Sequence, residues 1–143
     1  MPAAFSADTI VPARFLTLLA NLIILILSLW SRESNVVASL PNEYEEDDYH
    51  SKHKELTIGL SLGIALIGIE FIGFFSGITM FKNSISLMSI FLHGLACLST
   101  THWLLQSWQT STYWLIFIVC IFLPACVETI TIVCSFIGPN KDL

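Results

Sequence analysis

The stretch from Leu56 to Phe81 constrains this chain more than any other. It is almost wholly apolar and carries one charge, Glu70, near its midpoint. At 1.5 Å rise per residue, a helix of that length crosses the ~30 Å hydrocarbon core of a bilayer with length to spare. Gly59, Gly63, Gly73 and Gly77 form two G-x-x-x-G pairs. At roughly 100° per residue these glycines and Glu70 share a sector of about 80°, and Gly68 points to the opposite side. One face is therefore nearly bare except for a carboxyl at mid-membrane depth. Lipid offers that carboxyl no partner, so other helices must cover it. The stretch reads as the central helix of a bundle.

Composition supports a membrane protein of one domain. Of 143 residues, 55% are hydrophobic and 12% charged, outside the range of soluble globular chains. The net charge of −5 comes mostly from one loop and argues against nucleic acid, whose phosphates need a basic patch. Cys97, Cys120, Cys126 and Cys134 all lie in apolar segments, and no two form C-x-x-C. Neither a disulfide framework nor a zinc site is expected from them. Cys134 is a palmitoylation candidate on composition alone.

In chain order, Pro12, Ala13 and Arg14 open a first apolar segment, Phe15 to Trp30. Proline suits the first turn of a helix, where its missing N–H would be unpaired anyway. A cleaved signal peptide has a similar look. However, Trp30-Ser31-Arg32 follows directly without a nearby small-x-small pattern, so a retained first span is expected. Residues 31–55 form a polar loop. Its run Glu43-Tyr44-Glu45-Glu46-Asp47-Asp48 repels itself and is expected to be solvated and mobile. His50 and His53 have a metal-compatible spacing but no fixed frame, and read as exposed. Lys82-Asn83-Ser84 reads as a tight turn that forces the next span antiparallel. The expected fold is an all-α membrane protein, a four-helix transmembrane bundle with spans at 13–30, 56–80, 85–106 and 113–137. Pro124 interrupts the last span, and Gly138-Pro139 close it. Trp30, Trp103, Trp108, Tyr113 and Trp114 fall at the face of the acidic loop, as in an interfacial aromatic belt. Arg14, Lys82 and Lys141 lie on one side and Arg32, Lys52 and Lys54 on the other, so the positive-inside rule returns a tie.

The other spans also carry one polar or small face each. These are Thr17, Asn21 and Ser28; then Ser86, Ser89, His93, Cys97 and Thr100; then Cys120, Pro124, Glu128, Thr131 and Ser135. Asn21, Glu70, His93 and Glu128 lie near the middle of their own spans and can satisfy one another in a shared interior. Three readings compete: a hydrogen-bonded core that fixes helix register, a proton or cation pathway of a small transporter or channel subunit through Glu70, His93 and Glu128, and a metal held by those three residues. Four spans without a transporter-type repeat count against transport. There is no G-x-S-x-G, P-loop or H-E-x-x-H. The structural reading is preferred, with Asn21, Gly59, Gly63, Glu70, Gly73, Gly77, His93 and Glu128 as the packing and midplane polar set. No enzymatic activity, cofactor or metal is expected.

Some stretches carry a resemblance. Ala13-Arg14-Phe15-Leu16-Thr17-Leu18-Leu19, Trp30-Ser31-Arg32-Glu33-Ser34-Asn35 and Leu40-Pro41 resemble the opening of the transmembrane protein 107 family. Glu70, Gly73 to Phe81, His93, Thr112-Tyr113-Trp114, Leu123-Pro124-Ala125 and Glu128 continue the likeness from Val11 to about Gly138. The acidic loop, the N-terminal lead and the tail fit less well. Vertebrate relatives can carry a glycosylation sequon after the position of Phe81, but Asn83-Ser84-Ile85 is not one, so glycosylation is not carried over. The resemblance implies a component of the ciliary transition zone working with the Meckel-syndrome group: tectonics, B9-domain proteins and other tetraspan components. It implies a part in controlling which membrane proteins enter the cilium, and in Hedgehog signalling where that pathway uses cilia.

Overall fold

The computed structural model describes residues 7–80 and 82–138. The expected limit at Phe81, the stop at Pro139 and the basic Lys141 lie outside the described residues. The helices are α1 (Ala7–Trp30), α2 (Glu33–Ala38), α3 (Glu46–Phe75), α4 (Asn83–Leu105), α5 (Thr110–Ile116) and α6 (Leu123–Ile137). A π-helical stretch, Phe117–Phe122, joins α5 to α6 in one long rod. Among the described residues, four helices are long and apolar enough to cross a membrane: α1, α3, α4 and the α5–α6 rod.

Each span buries one stripe. In α1 it is Ile10, Arg14, Leu18, Asn21, Leu25 and Ser28, in steps of four and three. In α4 it is Ser86, Ser89, His93, Ala96, Thr100 and Trp103, again alternating three and four. That 3.5-residue rhythm is the one that keeps two helices in continuous side-by-side contact. α1 and α4 run parallel along it, with α3 antiparallel beside them and the α5–α6 rod closing the bundle. Leu18, Leu25, Leu60, Ile67, Trp103, Tyr113 and Ile121 fill the centre. The π stretch has a local cause. Pro124 has no N–H to donate, and its ring crowds the carbonyl four residues back; a widened turn before it relieves both.

The structure departs from the sequence reading at the start of α1, which begins at Ala7 and so holds Pro12 inside it and not in its first turn, and at both ends of α3. The helix starts at Glu46, so the second half of the acidic run is its first turn and not a mobile loop. Carboxylates there face the positive end of the helix dipole. Stacking of Tyr49 on Tyr44 and on His53 supports the same turn. At the other end α3 stops at Phe75, and the link to α4 spans 76–82, earlier and longer than the expected Lys82–Ser84 turn. Gly77 therefore leaves the packing face. It sits exposed in this link at φ +81°, and a Cβ placed on it would meet no atom within 4 Å. Its role is conformational, since an L-residue in that region costs about 1–2 kcal/mol. Gly68 also faces open space, but inside a helix. Gly77→Ala is thus expected to lower the thermal midpoint of the purified chain and Gly68→Ala to leave it level or raise it, since alanine favours a helix by ~1 kcal/mol.

The polar loop is also partly structured. Asn35, buried in α2, donates to the carbonyls of Trp103 (3.1 Å) and Trp108 (2.9 Å). Ser39 Oγ accepts the Thr110 N–H at 2.7 Å. α2 therefore caps the bundle end where α4 turns into α5. Two members of the expected aromatic belt belong to the core. Trp103 is fully buried and donates to Gln109 O at 2.9 Å; Tyr113 is fully buried and donates to Gly59 O at 2.8 Å. Trp30, 83% exposed, and Trp108 remain outside. The acidic start of α3 and the α3–α4 link lie at opposite ends of the bundle, so single cysteines at Asp47 and Lys82 are expected to label from opposite sides of the membrane. Labelling of both from one side would end the four-span arrangement.

Candidate functional site: two buried polar clusters

α1 presents Arg14, Asn21 and Ser28 one heptad apart, and α4 presents Ser86, His93 and Thr100 at the same interval. Parallel packing sets Arg14 against Ser86 and Asn21 against His93. At mid-bundle, Asn21 Nδ2 lies 2.8 Å from His93 Nδ1, and His93 Nε2 lies 2.7 Å from Glu70 Oε2. All three residues are fully buried. With the amide donating to Nδ1, the ring holds its proton on Nε2 and donates it to the carboxylate. One imidazole thus ties α1, α4 and α3 together.

The second cluster lies nearer the α3–α4 link. Arg14 is fully buried, and its Nη2 donates to Glu128 Oε2 at 2.7 Å. Its Nη1 donates to Thr79 O at 3.0 Å, Thr79 Oγ1 at 3.3 Å and Ser86 Oγ at 3.4 Å. The Thr79 hydroxyl donates to Glu128 Oε1, and the guanidinium sits 5.3 Å over the Phe74 ring. A single cation therefore joins α1, α4, α6 and the link after α3. Charge-assisted bonds of this kind are the strong ones, and here they lie out of reach of water.

Three glycines of α3 make room for what crosses the helix. A Cβ at Gly59 would meet Tyr113 Cε1 at 3.0 Å and Trp114 at 3.1 Å. At Gly63 it would meet the Tyr113 hydroxyl at 3.0 Å and Leu25 at 3.3 Å. At Gly73 it would collide with Glu128 Oε1 and come within 2.9 Å of Ile132 Cδ1. Gly73 is the seat on which the Glu128 carboxylate rests while it reaches Arg14.

The structure brings Asn21, Glu70 and His93 into one cluster and places Glu128 in the other. The constellation of Glu70, His93 and Glu128 does not form, and no group of three metal-ligating side chains occurs among the described residues. Arg14 escaped the sequence reading because it stood near the start of a span and was counted among the flanking basic residues. The signal that identifies it is its heptad spacing to Asn21 and Ser28, matched by Ser86, His93 and Thr100. Chemically, the arrangement fixes register. A guanidinium and a carboxylate neutralise each other, and an imidazole bridges an amide and a second carboxylate.

Four apolar spans around an interior whose polar groups bond one another define a multi-pass integral membrane protein. The chain belongs to the transmembrane protein 107 family, whose model, described as a transmembrane protein, matches residues 10–132. It is 42% identical over 120 residues to the transmembrane protein 107 of Danio rerio, covering 84% of this chain and 89% of that one. Against the Xenopus laevis protein of that name the identity is 41% over 136 residues, covering 95% and 97%. Against the Homo sapiens protein it is 39% over 127 residues, covering 89% and 91%. No solved structure matches the chain.

Proposed function

We propose that this protein is a scaffolding membrane component of the ciliary transition zone. In this reading it supports cilium assembly, the control of ciliary membrane composition and, where cilia serve it, Hedgehog signalling. Its partners are transition-zone proteins, among them tectonics, B9-domain proteins and other tetraspan components. Family membership supports the setting, and one observation supports the scaffolding role: the buried ionisable groups Arg14, Glu128, His93 and Glu70 are engaged with one another. Such groups hold a bundle in one shape and leave its outer surface for lipid and partners, and the reading includes no enzymatic activity. A tagged chain expressed in cells lacking the endogenous protein is expected to collect at the cilium base and restore recruitment of the other components. A chain that inserts in membranes but stays away from the base would overturn the proposal.

Glu70 separates this reading from a transporter or channel subunit. Glu70→Gln keeps an acceptor for the His93 Nε2–H and is expected to preserve protein level and recruitment. Glu70→Val strands that N–H at a cost of about 1–3 kcal/mol and is expected to lower both. A Gln variant at full level and in the right place, yet unable to support cilia, would favour ion or proton movement, because an amide does not titrate.

A further inference from the structure

We propose that the bundle holds internal water at the level of His93, donating hydrogen bonds to Glu70 Oε1 and Asn21 Oδ1. Both residues are fully buried, and neither oxygen has a hydrogen-bond partner among the described residues. Each residue uses its other polar atom on His93, Asn21 at Nδ1 and Glu70 at Nε2. Turning the Asn21 amide over would exchange which of its atoms is left over without supplying a partner.

The nature of the two groups decides what can satisfy them. A hydroxyl in a helix can turn back on its own chain, as Ser28 does by donating to Ile24 O at 2.8 Å. An acceptor has no such escape, because interior helical N–H groups are already committed to carbonyls four residues back. Acyl chains at this depth carry no donor either. An acceptor left bare in hydrocarbon is costly, so the occupant must bring donors and must be small. Water brings two and typically makes about three bonds when buried. Ser89, buried and unpartnered one turn before His93 on the same stripe of α4, adds a further polar group at this level. Further along the α1–α4 seam Thr100 Oγ1 is also buried without a partner, between Ala96 and Trp103, but it is a hydroxyl and can turn back on its own chain.

The test uses the full chain, carbon- and nitrogen-labelled, in lipid bilayers, with solid-state NMR that follows magnetisation from water protons into the protein. Build-up on Glu70 Cδ and Asn21 Cγ is expected to be several-fold faster than on Leu18, Leu25 and Ile67, which are as deeply buried but apolar. Build-up at Glu70 as slow as at Ile67 would overturn the proposal. Exchange of sodium and potassium chloride for choline chloride is expected to leave the Glu70 and Asn21 shifts unchanged. Shifts that move on this exchange would identify a small cation as the occupant and overturn water.

Discussion

Arg14→Ala is expected to destabilise the bundle by about 3–5 kcal/mol, the range for breaking a buried ion pair from one side. The loss arises because Glu128, 1% exposed, would be left buried with no cation to meet it. Glu128→Ala is expected to do similar damage by stranding Arg14. Replacing both with apolar residues of similar size, Arg14→Met with Glu128→Leu, removes the stranded charge and is expected to recover most of the loss. Unfolding of the purified chains in mild detergent measures all of these. A double variant as unstable as the singles would refute the stranded-charge explanation and shift weight to the Thr79 and Ser86 contacts.

Gly73→Leu is the other large effect. A side chain there takes the space of the Glu128 carboxylate and presses on Ile132, so the carboxylate must leave Arg14. The expected cost is at least that of losing the ion pair, with overpacking adding about 1–3 kcal/mol. In a Glu128→Ala background the same substitution should cost much less, since the group it displaces is already gone. That non-additivity is the signature of two changes acting on one contact. Gly68→Leu is the control, because nothing lies within 4 Å of its Cβ direction. Equal losses at Gly68 and Gly73 would rule out a specific seat for Glu128.

The apolar runs made the four spans legible in the sequence, and helical periodicity pointed Gly59, Gly63, Gly73 and Glu70 to one side of α3. Those signals are local, set by hydropathy and by the 3.6-residue turn. The partners were less legible. Asn21, His93 and Glu70 all stood out as midplane polar groups, but Glu128 stood out equally and belongs elsewhere. Depth along a single span does not say how far neighbouring spans are staggered. Arg14 reads as a flanking charge because Pro12 and Ala13 resemble a helix start, yet α1 begins at Ala7, and the α4 stripe shows that Arg14 faces inward. Gly77 fitted the glycine face by spacing, yet the helix ends before it at Phe75. A turn that needs φ above zero and a packing face that needs no side chain select the same residue.

The pairing of the first span with the third and fourth has a consequence for biogenesis. Synthesis proceeds from the N-terminus, so Arg14 and Asn21 enter the membrane before any of their partners exist. Asn21 finds His93 only when α4 arrives, and Arg14 finds Glu128 only when α6 does. Until then a guanidinium in the first span must stay near the headgroups or at another chain's surface, because it cannot rest unpaired in hydrocarbon. The last helix is therefore also the one that releases the first into its final depth. A chain that stops before α6 lacks the carboxylate that meets Arg14, so the charge balance of the interior is complete only once the last helix is in place.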